Sequence, residues 1–332
     1  MAGMLRAVIR QMFHRPRGRE ALVDEWARVG PFEIERLTRG IGRKAEKLRS
    51  HGYLRYPAMV HLETIAVCNA ACEFCPYPKL ERKGTRMPDA LIEKVIGDLS
   101  AIPRELPFRL APYKVSEPFV EARLFDILRM ANERLPNARI ALITNGSALT
   151  EKKLTALKGV HNISYLAVSL NYDDPQEYES VMGIPFARTV RCVDLLHEAL
   201  AAGELRIEVR IMRVSGDRES DARFEEWVRR RYPRFLVGVN PRNDWLGEMP
   251  DGAVYPVVPD APCHRWFDLS ITATGKVAMC CMDGEARYPK GDVNTQHVLD
   301  IYNQPHLLAL RESLISRRVA PAPCSGCTYL VG

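Results

Sequence analysis

Residues 67–78 read VCNAACEFCPYP: three cysteines in one short segment, then none until Cys192. The segment closes an apolar run, residues 58–67, whose β-branched content predicts a strand. Runs of the same character follow at 108–115, 138–144, 163–170, 205–214 and 234–240. Between them lie PDALIEKVIGDLSAI, FVEARLFDILRMANERL, TEKKLTALKGV, FARTVRCVDLLHEALAAG and SDARFEEWVRRRY, all with helical periodicity. This alternation of strand and helix predicts an α/β fold with parallel strands and right-handed crossovers, either an open sheet or a full or partial barrel. Active sites in such folds sit at the carboxyl ends of the strands. The three cysteines stand at the end of the first strand, where chemistry is expected.

At 332 residues and 46% hydrophobic side chains, the chain can bury a large core. Its longest apolar runs fall far short of the roughly 20 residues that cross a bilayer. Arginines interrupt the apolar N-terminal stretch, so no secretion signal is expected and the cytoplasm is the expected location. The net charge is +6, and residues 1–50 account for it with 12 Lys+Arg against 6 Asp+Glu. Residues 1–55 read as a basic helical extension, a pair of amphipathic helices packed on the body with a solvated basic face. No nucleic-acid-binding module accompanies it, and no nucleic-acid partner is expected.

The repeat of strand and helix spans residues 56–243 and breaks near residue 244. NDWLGEMPDGAVYPVVPDAPC reads as a linker or ordered loop. LSITATGKVAMCCMDG follows as a β-hairpin about a Thr-Gly turn, then a helix, QHVLDIYNQPHLLALRESLISRRV, interrupted at Pro305. Residues 244–332 thus form a second unit too small for much core of its own. Such units commonly need a metal or a disulfide.

Nine cysteines, an odd number in a chain expected to be cytoplasmic, argue for metal ligation over disulfides. Cys263, Cys280, Cys324 and Cys327 could close a tetrahedral zinc site. Three thiolates in the first loop leave a fourth position to something that is not protein. A [4Fe–4S] cluster accounts for that, because three thiolates leave one iron open to an exogenous ligand. Cys192 lies on an apolar helical stripe and is expected in the core.

Cys68, Cys72 and Cys75, in C-x3-C-x2-C spacing with Phe74 before the last, resemble the signature loop of the radical S-adenosylmethionine superfamily. The likeness runs from about residue 56 to the end, and it implies a partial (β/α)6 TIM-like barrel. It also implies that S-adenosylmethionine binds the open iron and is cleaved to a 5′-deoxyadenosyl radical, with an electron donor such as flavodoxin or ferredoxin. VSEPF stands where relatives carry a Gly-Gly-Glu type motif, so Glu117, with Ser116 beside it, is the implied acceptor of the methionine ammonium. Ser169 and Asn171 match the region that contacts the ribose. Met182 stands where many relatives have an arginine near the methionine carboxylate, and Arg210 on the fifth strand is the expected substitute.

The terminal unit, a small β-hairpin and helix, resembles the SPASM and Twitch extensions of that superfamily. Its cysteines suffice for one auxiliary [4Fe–4S] cluster, held by Cys263, Cys280, Cys324 and Cys327. Adjacent residues on a strand face opposite ways. Spacing after Gly275 selects Cys280 as the ligand and leaves Cys281 free to donate a hydrogen atom to a substrate radical.

A single auxiliary cluster resembles the dehydrogenases and epimerases that act on sugars and aminocyclitols. The expected reaction is hydrogen abstraction from a hydroxyl-bearing carbon of such a small molecule, then oxidation or epimerisation. His61, Glu63, Tyr113, Asn240, Asn243 and Trp245 are the candidate substrate contacts, at strand ends and in the loop before the terminal unit. The alternatives are peptide or protein modification and, in another class, a non-catalytic iron–sulfur electron carrier or zinc-binding module.

Overall fold

The computed structural model describes residues 31–249 and 257–330. Residues 1–30 of the basic leader and 250–256 of the predicted linker lie outside the described residues. Helix α1 (Pro31–Ser50) leads into β1 (Met59–Leu62), and the predicted alternation follows. α2 (Asp89–Leu99), β2 (Phe108–Ala111), α3 (Leu124–Arg134), β3 (Ala138–Thr144), α4 (Glu151–Leu157) and β4 (Ile163–Ser169) come next. α5 (Pro175–Met182) has no counterpart among the helices read from sequence. The carboxylate of Asp174 starts it by accepting from the N–H groups of Gln176 and Glu177, and Gly183, at φ 67°, ends it. α6 (Phe186–Ala201), β5 (Val209–Val214), α7 (Arg218–Arg231) and β6 (Leu236–Asn240) complete the repeat.

The six strands pair in sequence order, all parallel, and β6 does not pair with β1. The barrel is therefore partial and open. Strand alternation splits the side chains between two environments. Leu110, Ile140, Leu142, Leu166, Val168 and Ile211 turn outward into cores shared with the helices, against Leu128, Leu196, Phe224 and Ile127. Each such burial contributes roughly 1.5–3 kcal/mol, so a one-residue slip would be expensive and the register is held. The intervening residues, among them Arg109, Arg139, Ile143, Ala167, Ser169, Met212 and Val214, line the lumen.

β7 (Asp268–Ile271) and β8 (Lys276–Ala278) form the predicted antiparallel hairpin. Its turn holds Gly275 at φ 88°, where a Cβ would lie 2.3 Å from Asn294 Nδ2. β7 also pairs in parallel with β1, so the hairpin and β9 (Gly291–Asp292) extend one sheet in the order β6-β5-β4-β3-β2-β1-β7-β8-β9. Leu269, Ile271, Val277 and Val298 join Val60 and Leu62 in a common core, which is how so small a unit is supported. The following helix divides as expected, into α8 (Val298–Tyr302) and α9 (Pro305–Ser313), with Pro305 in the first turn of α9.

α1 packs Ala45 against Trp266, Phe267 and Cys324 of the terminal unit. Arg39, Arg43, Lys44 and Lys47 of this helix are exposed, and Lys44 and Lys47 also border the lumen. No helix of the described residues is long and apolar enough to cross a membrane.

Candidate active site

The three thiols of the opening segment lie in the loop after β1, at the carboxyl end of the barrel. Backbone bonds fasten this loop to the end of α5: Ala71 N–H donates to Met182 O (3.1 Å) and Glu73 N–H to Val181 O (3.0 Å). Gly183 permits that approach, since a Cβ there would lie 3.3 Å from Ala71 Cβ. Cys72 O accepts from Cys75 N–H (3.1 Å), a turn that brings the sulfurs round to one side. Cys68, Cys72 and Cys75 line one cavity of about 260 Å³ with Phe74, Ser116, Glu117, Asn145, Ser169 and Met182. Burial pushes the Cys68 thiol up to about 11 and the Cys75 thiol to about 12, and it raises Cys72 further with the help of its two neighbours. Sulfurs held this way ionise when a metal takes them, with release of protons. Three soft donors, with Ala70 N–H aimed at Cys68 Sγ (3.4 Å), suit iron in a sulfide cluster.

Glu117 is buried at the edge of the same cavity. Its carboxylate accepts from Thr144 Oγ1 (2.6 Å), Asn145 N–H (2.7 Å) and Phe119 N–H (3.0 Å). Burial nevertheless lifts its pKa above the ordinary range. Asn145, which the sequence reading passed over, donates from Nδ2 to Asn69 Oδ1 (2.9 Å) and so braces the cysteine loop.

Three expected contacts are placed elsewhere by the tertiary structure. Arg210 is the second residue of β5, near its amino end, where it pairs with Glu208 and lies over the Tyr165 ring at 4.4 Å. It borders the lumen and not the thiol cavity. Arg242, after β6, is the arginine beside the thiols, 5.8 Å from the Phe74 ring. Glu63 is fully buried and takes a two-bond fork from Arg82 (2.8 and 3.0 Å) together with Val115 and Ala273 N–H groups (3.0 Å each). It staples β1 to the β2 loop and the hairpin, leaving nothing to offer a substrate. Asn171 lines the lumen, not the thiol cavity, and spends its carbonyl on Val214 N–H (2.7 Å) and an amide hydrogen on Met182 Sδ (3.2 Å).

Tyr113, Asn243 and Trp245 line the thiol cavity, and Asn240 lines the lumen. His61 is buried edge-on to Tyr113, ring centroids 6.3 Å apart, and lines neither the thiol cavity nor the lumen, so it is not placed as a substrate contact. Lys114, also absent from the sequence reading, lines the thiol cavity and donates to the carbonyls of Asp283 (2.5 Å) and Gly284 (3.0 Å).

The second cysteine group gathers in the terminal unit. Cys263 is raised to about 12, first by burial, and also by Cys327 and Cys324; Cys280 is raised by burial and by Cys281, Cys327 and Cys263. Trp266 Nε1 donates to Cys324 Sγ (3.4 Å), and Arg317 reaches Cys327 Sγ (3.7 Å). Among the described residues no three His, Cys, Asp or Glu side chains are gathered to hold a single ion such as zinc. A cluster spreads its cysteines more widely, because each binds a different iron.

Strand alternation does not divide Cys280 from Cys281, since β8 ends at Ala278 and both lie beyond it. Cys280 lies within electrostatic reach of Cys281, Cys327 and Cys263. Cys281, buried, meets the charges of Arg265, Asp268 and Lys114 and lies within electrostatic reach of Tyr113 and Tyr329. Tyr113 lines the thiol cavity and Tyr329 the lumen, whereas Cys281 lines neither. Cys192 is buried in the core on α6.

A sequence profile of the Radical SAM superfamily matches residues 62–230, and one of the SPASM iron–sulfur cluster-binding domain matches residues 263–328. The chain is similar to the S-adenosyl-L-methionine-dependent 2-deoxy-scyllo-inosamine dehydrogenase of Niallia circulans, 33% identical over 101 residues, 30% of this chain and 40% of that one. It is also similar to the FeMo cofactor biosynthesis protein NifB of Azotobacter vinelandii, 28% identical over 130 residues, 36% of this chain and 25% of that one. The chain thus spans less than half the length of the curated relatives it matches. A crystal structure of BtrN in complex with AdoMet and 2-DOIA shares the fold with a TM-score of 0.57 at 19% identity, over 82% of this chain and 93% of that one. So does Streptococcus suis SuiB bound to precursor peptide SuiA, with a TM-score of 0.59 at 12% identity, over 80% and 69%.

Proposed function

This chain belongs to the radical SAM superfamily and carries a SPASM-type iron–sulfur domain, and from that premise we propose that it oxidises or epimerises a hydroxyl-bearing carbon of a sugar- or cyclitol-like small molecule. Radical SAM and SPASM domains bind [4Fe–4S] clusters and S-adenosylmethionine. Cys68, Cys72 and Cys75 would hold the first cluster, and Cys263, Cys280, Cys324 and Cys327 the auxiliary one. Together with S-adenosylmethionine the first cluster supplies a hydrogen-atom abstractor derived from the 5′-deoxyadenosyl group. Glu117 would accept the methionine ammonium and Arg242 would meet its carboxylate. Ser116, Ser169 and the ring of Phe74 would line the rest of that cosubstrate.

The observation that carries the reading is the cavity that Cys68, Cys72 and Cys75 share with Glu117 and Ser169, and Cys281, buried within electrostatic reach of Tyr113 on that cavity's lining, is the candidate hydrogen donor. A thiol that returned a hydrogen atom to the substrate radical would give an epimer. Without that return, the carbon radical would give up one electron, for which the auxiliary cluster would be the acceptor, and its hydroxyl proton to solvent, leaving a ketone. His61 lines neither cavity and packs against Tyr113 as a buried neutral ring. Likeness to a 2-deoxy-scyllo-inosamine dehydrogenase supports the small-molecule reading. Nine free thiols suit a reducing, cytoplasmic setting, and an external donor such as flavodoxin or ferredoxin would deliver the electron.

The test is anaerobic reconstitution followed by incubation with sugars and aminocyclitols. Release of 5′-deoxyadenosine that depends on a sugar or cyclitol is expected, with about eight irons per chain. Release that instead requires a peptide would favour the second reading, peptide modification, which the shared fold of SuiB supports. Zinc without iron would overturn both.

A further inference from the structure

Below the thiol cavity the lumen opens into a chamber of about 960 Å³ whose lining is strongly basic. Arg109 and Arg139 occupy inward positions near the amino ends of β2 and β3 and are direct Cα partners in the sheet. Arg210 projects from β5, Lys44 and Lys47 from α1, and Arg265 from the segment before β7. The acidic groups on the lining are Glu105 and Asp268. Asp268 is taken by Arg265 (3.0 Å), Arg210 by Glu208 and Arg213 by Asp221 (2.6 Å).

Arg109, Arg139, Lys44 and Lys47 have no ion-pair partner among the described residues. Like charges directly opposite on neighbouring strands destabilise a sheet, and both side chains are exposed, so an anion can reach them. The crowding is felt by its neighbours: burial, then Arg265 and Arg109, hold the Lys44 ammonium below its usual range. Guanidinium forks on adjacent strands match the oxygens of a phosphate or carboxylate. A cleft lined by one sign of charge concentrates ligands of the other.

The chamber shares Ile143, Ser169 and Val214 with the thiol cavity. Arg139 lies four residues below Ile143 on β3, about 13 Å at about 3.3 Å per residue. We propose that the substrate carries a phosphate or carboxylate group, held low in the barrel by Arg109 and Arg139 with Lys44 and Lys47 beside them, while its reacting carbon lies at the Ser169 end. This rests on the reaction proposed above and adds the charge class of its substrate. An aminocyclitol, cationic near neutral pH, would be repelled from the same chamber.

The experiment is calorimetric titration of the reconstituted holoenzyme, loaded with S-adenosylmethionine, with inorganic pyrophosphate, glucuronate and glucosamine, at low and high salt. Pyrophosphate or glucuronate should bind, more weakly at high salt, and glucosamine should not. Arg109→Gln and Arg139→Gln should each weaken the anion about tenfold, the scale of one charge-assisted contact, with iron content and melting temperature showing that the fold persists. Anion binding unchanged by both variants, or glucosamine binding as well as the anions, overturns the proposal. Should a variant fail to fold, the comparison of anion with amine on the unaltered protein still decides. Sugar phosphates and uronic acids are then compared as substrates, which separates the two anion sources. If only neutral or cationic sugars support 5′-deoxyadenosine release, the proposed reaction stands and the anion site falls. If anions bind through the two arginines but no sugar supports release, the anion site stands and the reaction falls.

Discussion

The indole Nε1 of Trp245 donates to the backbone carbonyl of Phe74 at 3.0 Å, joining the segment after β6 to the cysteine loop 171 residues earlier in the chain. Trp245 and Leu246 hold consecutive positive φ values, 50° and 55°, a conformation that non-glycine residues adopt only when their surroundings enforce it. Trp245→Phe removes the bond, worth about 0.5–1.5 kcal/mol, and should release the segment. The expected outcome is several-fold weaker S-adenosylmethionine binding in titration calorimetry, with a melting temperature close to that of the unaltered protein.

Arg82 and Glu63 form a fork inside the protein, their side chains 5% and 0% exposed. Arg82→Met strands the Glu63 carboxylate without its counter-ion, which costs about 3–5 kcal/mol. Urea unfolding should show that loss. Adding Glu63→Met to the same chain should recover part of it, and no recovery would mean that the Val115 and Ala273 bonds to Glu63 dominate.

Cys280 and Cys281 should separate by experiment. Cys280→Ala is expected to remove about four of about eight irons. Cys281→Ala should leave the iron content unchanged and alter the product, with any epimer lost and a ketone gained. Iron analysis and chromatography of the product check both arms.

The His61 imidazole is held down to about 3, first by burial and then by Arg265 and Lys114. In the unfolded chain it titrates near its ordinary value of 6.5. Its contribution to stability is therefore complete above pH 6.5 and is lost as pH falls toward 3, because the unfolded state takes up the proton first. The loss is about 2 kcal/mol at pH 5. His61→Phe should flatten the stability slope between pH 6.5 and 5 in denaturant titrations, and an unchanged slope would place the titration elsewhere.

Much of the architecture was legible because its signals are local. All six β-branched runs became strands, and the helices between them, with the break at Pro305, lie where periodicity places them. α5 was not legible: at eight residues it carries little over two turns of pattern. Of the site, the spacing of Cys68, Cys72 and Cys75 marked the loop that lines the cavity, and Glu117 lines the same cavity. Arg210 was misplaced because residue type and strand membership do not say at which end of a strand a side chain lies relative to a distant loop. Glu63 looked like a free carboxylate because its partner, Arg82, is fixed by folding and not by spacing.

By itself the sequence determined the order of elements and the grouping of the cysteines, since these follow from side-chain periodicity and from short-range spacing. Only the tertiary structure decided that Arg109 pairs with Arg139 across the sheet, that Arg242 and not Arg210 lines the thiol cavity, and that Glu63 is taken by Arg82. Each of those depends on strand register or on a bend between distant segments. Such relations are selected by the packing energy of the whole core, which no local stretch of chain contains.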